Sequence, residues 1–205
     1  MINNINALKE YTVYRGEKSP RLKDKIVLKS PGCDLSGIAK IKKAFPDMPE
    51  NYLTCAQTLN LSGIAIGYFQ LSPPGSTKIG FIERLLQINN SEINPLWNFM
   101  SGKGLYEIAA WEAEPICVAT NKSPYQEGAV LMISTVQPIP KESLLTDNFE
   151  SFLLIAGNLD AIRDRHFKAG DKTSANIEFE QCLARFSLPT EALNTWKQIS
   201  KVVLS

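Results

Sequence analysis

Apolar residues recur along the chain at two spacings, and the switches between them outline an order of elements. After the turn signal Ser30-Pro31-Gly32, Asp34 precedes Leu35, Ile38, Ile41 and Phe45. That three-to-four spacing predicts a helix with one apolar face, capped by Asp34 and stopped at Pro46. Pro49 opens a second helix with Tyr52, Leu53, Ala56 and Leu59 inward, closed by Leu61-Ser62-Gly63. Residues 64–72 are apolar and β-rich, which predicts one buried strand, broken by Pro73-Pro74-Gly75. Residues 76–89 return to helical spacing with Ile79, Ile82 and Leu86 inward and Phe81 and Leu85 as further inward candidates, and a short connection carries Trp97.

Residues 106–111, 116–120 and 129–135 read as strands, with Glu127-Gly128 in the last turn, and an antiparallel meander joins them economically. The clearest helix follows. Asp147 and Glu150 resemble a capping box, and Phe149, Phe152, Leu153, Ala156, Leu159 and Ile162 line one side. Two more helices are expected, over about 176–186 and 191–203, the last capped by Thr190 and striped by Leu193, Trp196, Ile199 and Val203. Residues 1–30 are polar and basic and read as a loosely attached extension or an edge strand. The class is α+β: a small, mostly antiparallel sheet flanked by helices, with extra C-terminal helices. The expected division is 1–30 extension, 31–165 core and 166–205 helical extension packed on the core.

Composition narrows the function classes. A chain of 205 residues with 44% apolar and 21% charged residues can bury a core without disulfides or metals. The net charge of +1 gives no global basic field for nucleic acid. Charge is segregated, however: residues 1–30 carry seven basic and three acidic side chains, and residues 101–150 carry the reverse. No apolar run approaches the roughly 18–20 residues that a membrane helix needs, and residues 1–10 have no secretory pattern. Cys33, Cys55, Cys117 and Cys182 show no CxxC pairing and read as free thiols of a reduced, cytoplasmic protein.

Chemistry is sparse. His166 is the chain's one histidine and has no companions at metal-ligand spacing. Gly102-Lys103-Gly104 reads as a turn, and neither a nucleophile elbow nor a phosphate-binding loop is present. Glu112 and Glu114 would lie about 6.5–7 Å apart on one strand face. That separation overlaps the pair of an inverting glycosidase, so a hydrolase is one reading of these carboxylates. Such chemistry needs one carboxyl desolvated within a cleft, and Pro115 places the pair at a strand end. A solvated sheet edge is a second reading and a recognition surface a third. A recognition surface would comprise Trp97, Tyr106, Glu107, Trp111, Glu112, Glu114, Tyr125 and Glu127, with aromatic anchors inside an acidic rim. No catalytic residue, metal or cofactor is expected.

The order of motifs adds a resemblance. A short helix, then FPDMPENYL opening a second, then an apolar run ending in Gly/Pro turns, then LYEIAAWEAEPICVAT and finally FESFLLIAGNL resembles the SUKH superfamily, the Smi/Knr-like proteins. The matching positions are Pro49, Tyr52 and Leu53, then Ile108 and Ala109, then Phe149, Phe152 and Leu153. The likeness covers about residues 34–160. Leu59-Asn60-Leu61-Ser62-Gly63 stands where members often carry Asn-Gly, and Glu127-Gly128-Ala129 where they often carry Gly-Asp. The resemblance implies binding without catalysis. Many bacterial members look like cytoplasmic immunity proteins that bind a cognate polymorphic toxin, often a nuclease or deaminase, and others are interaction scaffolds. An acidic middle segment would suit a basic toxin.

Overall fold

The computed structural model describes residues 1–73, 79–136, 139–167 and 170–204. The Pro74-Gly75 part of the expected break, the first residues of the helix expected over 76–89 and the start of the loop after Phe167 lie outside them. The fold is α+β, and among the described residues the sheet has six antiparallel strands in sequential order, flanked by helices.

The helices expected after Asp34 and Pro49 are present as α3 (Leu35–Ala44) and α4 (Glu50–Thr58), after α1 (Ile5–Lys18) and α2 (Lys23–Ile26). The Asp34 carboxylate accepts from the Gly37 N–H, so the cap is as expected. Ile38, Ile41 and Phe45 are buried, but Leu35 in the first turn is 74% exposed. Residues 64–72 do not form one strand. Gly67 at φ +58° turns the chain into a hairpin of β1 (Ala65–Ile66) and β2 (Phe69–Gln70). Ile64, Ile66, Phe69 and Leu71 are buried as the apolar run requires, but the glycine reverses its direction.

Next come α5 (Phe81–Ile88) and α6 (Trp97–Gly102), the latter a helix in place of a plain connection. The meander is β3 (Leu105–Trp111), β4 (Glu114–Ala119), β5 (Val130–Ser134) and β6 (Lys141–Thr146). β6 escapes the pattern because its sequence, KESLLT, carries too few apolar positions to alternate. α7 (Phe149–His166) is capped by Asn148, not Asp147: the Asn148 side chain accepts from the Ser151 N–H at 2.9 Å. α8 (Lys172–Leu183) is capped by Asp171, and in α9 (Thr190–Val203) Pro189 occupies the cap position and Thr190 the first helical residue.

α7 is the axis of the molecule. Every residue from Phe152 to Ile162 is buried, so it is enclosed on all sides instead of presenting one apolar stripe. One face of the sheet packs on α7 through Ile108, Ile116, Val118, Val130 and Leu145, and α4, α8 and α9 join the same core. The opposite face builds a smaller core from Leu105, Cys117, Leu131, Ile133 and Leu144 under α6, closed by Ala192.

The first thirty residues are neither a loose extension nor an edge strand. α1 lies on α7 with Leu8 wholly buried, and Ile2 and Leu28 belong to the main core. The approach is close because position 157 is glycine: a Cβ there would meet the Leu8 side chain at 2.4 Å. Two polar devices pin the contact. Asn158 accepts from the Ile2 N–H (2.9 Å) and donates to the Ile2 carbonyl (2.7 Å). Asp160 accepts from the Tyr11 hydroxyl (2.7 Å) and from Arg15, while Asp164 holds Arg15 and Lys18. Asn158→Ala is expected to leave both Ile2 groups unpaired at a cost of about 1–3 kcal/mol. Amide hydrogen exchange should show lost protection in α1 first. Unchanged protection there would mean that apolar packing alone holds α1.

Candidate functional site: an aromatic row on an acidic end

β2 is only two residues long and pairs with Ala110 and Trp111, so the Leu105–Ala109 part of β3 has no strand beside it on that side among the described residues. An open edge of that kind invites foreign strands. Two asparagines close it. The Asn89 side chain accepts from the Glu107 N–H and donates to the Glu107 carbonyl, both at 2.8 Å, which imitates a ladder pair. Asn94 donates to Glu107 Oε2 at 3.0 Å. The link between α5 and α6 is thereby fastened to β3, and Trp97, three residues on, is brought across the edge.

Trp97 stacks on Tyr106 with ring centroids 6.3 Å apart, and Tyr106 meets Phe45 at 4.8 Å. Trp97 and Tyr106 are half-buried, Phe45 buried, so the row is anchored at one end and open at the other. Beside it, Lys122 pairs with Asp47 at 2.6 Å, and burial followed by the Asp47 charge raises the Tyr106 phenol above its ordinary range. The turn between β4 and β5 sits against the start of α4: Gly128, at φ +86°, would clash through any Cβ with the Asn51 side chain at 2.1 Å. This places exposed Glu127 at the same end as Asp47 and Glu50. Glu150, in the first turn of α7, is near enough to raise the Cys55 thiol of α4, after burial, to about 12. Glu50 and Asp47 already hold Lys42 and Lys122, whereas Glu127 and Glu150 form no ion pair among the described residues. Unpaired negative charge therefore remains on this rim.

The eight residues expected to share one recognition surface are divided. Trp97, Tyr106 and Glu127 lie at this end. Glu107 is 3% exposed and belongs to the opposite side of the sheet, where burial pushes its carboxyl up to about 7. Trp111 stacks on Phe69 at 6.5 Å, with its indole N–H buried and without a partner. Glu112 is the turn residue between β3 and β4, exposed and at φ +53°. Glu114 accepts from the Thr135 backbone N–H at 2.7 Å. The β3–β4 turn and the β4–β5 turn stand at opposite ends of β4, about 17 Å apart at strand rise. Tyr125 packs on the smaller core with Leu188.

Sequence reading misses Phe45, Asp47, Asn51 and Lys122 as members of this end. The available signal is FPDMPEN, whose Pro46 and Pro49 flank a short acidic turn too brief for periodicity to register. Asn89 and Asn94 lie in a polar stretch that reads as an ordinary loop, and nothing local marks them as partners of a strand.

Among the described residues no group of histidine, cysteine or carboxylate side chains could hold a metal ion, the cysteines are free, and no helix is long and apolar enough to cross a membrane. No family model, curated protein or solved structure matches the chain.

Proposed function

We propose that the chain is a non-catalytic, cytoplasmic protein-binding protein of SUKH type, an immunity protein that neutralises a cognate bacterial toxin by direct binding. The observation that carries this is the half-open Phe45–Tyr106–Trp97 row, fixed by Asn89 and Asn94 and rimmed by Glu127 and Glu150. Rigid aromatic side chains beside a charged rim supply the centre and the periphery of a protein interface. The partner's face is basic. Glu112 and Glu114 do not favour hydrolysis: Glu112 is solvated on its turn and Glu114 is engaged by Thr135.

Co-expression with the large open reading frame beside its gene tests the reading. A stable complex that suppresses the neighbour's toxicity is expected; a toxic neighbour left unbound and active would overturn it. Within the complex, Glu127→Lys with Glu150→Lys should slow association at low salt by about tenfold or more. Glu112→Lys should leave it unchanged, measured by surface plasmon resonance at two ionic strengths. The reverse pattern would put the interface at the β3–β4 end.

A further inference from the structure

At the other end of α7, about 25 Å from Glu150 along the helix axis, a cavity of about 240 Å³ opens between three helix ends and the tip of the β1–β2 hairpin. α7 contributes Arg163, His166 and Phe167, α8 contributes Lys172 and Ala175, and α9 and its C-cap contribute Val203 and Leu204. The floor is apolar: Ala175, Val203 and Leu204 are each less than a tenth exposed.

The walls are unusual for a solvated surface. The Arg163 guanidinium lies against two rings, 4.8 Å from the Tyr68 centroid and 5.3 Å from that of Phe167, and those residues are 37% and 72% exposed. Exposed apolar side chains around a concavity mark binding sites more often than chance surface does. Rings on a guanidinium also hold its plane, which readies the fork for an anion.

The local charges are already distributed in a way that leaves Arg163 over. Asp164 holds Arg15 and Lys18. Glu178 holds Arg165 and His166. Asp171, on the rim, caps α8 by accepting from the Ser174 N–H at 2.9 Å. Among the described residues Arg163 has no carboxylate partner, and neither does Lys172. The cavity thus offers a positive, flat hydrogen-bond donor above an apolar floor. Its volume suits one large side chain, since sites for drug-sized ligands occupy about 300–1,000 Å³.

We propose that this cavity binds the C-terminal residue of a partner polypeptide, its carboxylate on Arg163 and its apolar side chain on Ala175, Val203 and Leu204 between Tyr68 and Phe167. Planar bidentate recognition of a carboxylate is what an arginine fork does best, and capture of a chain terminus is an established recognition mode. The exposed rings leave the mouth open for the chain that precedes that residue. The site is separate from the acidic end, and its test is independent of the toxin-binding reading.

The probe is a fluorescein-labelled hexapeptide ending in Phe with a free carboxylate, measured by anisotropy against the full chain. Its C-terminal amide and N-acetylphenylalanine are the comparison ligands. The acid should bind at least about tenfold more tightly than the amide. Arg163→Gln should abolish the difference, Arg163→Lys should restore only a small part of it, and Phe167→Ala should weaken binding. Phe167 is exposed and Arg163 half-buried, and circular dichroism checks that the variants fold. Equal binding of acid and amide, indifference to Arg163→Gln, or no binding at about 1 mM peptide would each overturn the proposal. N-acetylphenylalanine matching the hexapeptide would overturn the polypeptide as occupant and assign the site to small carboxylic acids.

Discussion

Trp196→Ala is expected to lower the free energy of unfolding by about 3–5 kcal/mol, the range for removing a fully buried large aromatic. The indole is wholly enclosed, with ring centroids 5.6 Å from Phe69, 6.2 Å from Phe152 and 6.2 Å from Phe179. One side chain of α9 therefore touches β2, α7 and α8 together. Its N–H donates to the Leu145 carbonyl at 2.9 Å, which joins β6 to the same point. Against a total stability of about 5–15 kcal/mol, such a loss removes a large share of what holds the fold. Trp196→Phe separates the parts: it keeps most of the apolar contact and leaves the Leu145 carbonyl unpaired, at about 1–3 kcal/mol. Urea unfolding followed by circular dichroism gives both numbers. A loss below about 1 kcal/mol for the alanine variant would mean that α9 is peripheral. The last two helices, an appendage by sequence order, share one apolar core with the sheet.

What the pattern reveals and what it hides have physical causes. Helices α3, α4 and α7 are legible because long apolar periodicity and nearby capping residues agree. The three central strands are legible because β-rich runs there are bounded by turn residues. α1 is hidden because its buried contacts are few and are made by Leu8, Thr12 and Gly16, with polar side chains around them. Its attachment depends on Gly157, Asn158 and Asp160 of a helix about 150 residues away, and no local window contains that information. The hairpin at Gly67 is hidden because an apolar run on both sides of a single glycine reads the same straight or folded. The candidate site divides likewise. Aromatic and acidic residues of the right types are visible, but sequence proximity in WEAEP and YQEG does not survive pairing. A strand of six residues carries those two segments to opposite ends, while Asp47 and Phe45, some sixty residues earlier, arrive beside Tyr106.

Stability should fall as the pH rises from about 4.5 toward neutrality, and Glu107→Gln should remove that slope. Glu107 lies on the small-core side of β3 opposite Cys117, with Asn94 donating to one carboxylate oxygen. Burial pushes its pKa from the usual 4.5 up to about 7, against the smaller downward pull of Asn94, and it in turn helps to raise the buried Cys117 thiol. Between those two pH values the native state holds a proton that the unfolded chain has released. The neutral form's contribution is thus complete below about pH 4.5 and is lost as pH passes through about 7. The full difference is about 3 kcal/mol. Glutamine keeps an acceptor for Asn94 and never charges, so Glu107→Gln should be more stable than the parent by about 2–3 kcal/mol at pH 8 and nearly equal at pH 4.5. Glu114→Gln, at the far end of β4, is the control and should leave the slope in place. Urea midpoints measured every half pH unit from about 4.5 to 8.5 decide the matter, and an unaltered slope in Glu107→Gln would assign the titration elsewhere. The consequence reaches the aromatic row. Asn94 connects this carboxyl to the segment that carries Trp97, and its donated hydrogen bond is stronger to the charged form, so the charge state of Glu107 alters the contact that holds Trp97 over Tyr106. If the row is the binding surface, Glu107→Gln should also flatten the pH dependence of partner affinity between about pH 6 and 8 without touching the acidic rim.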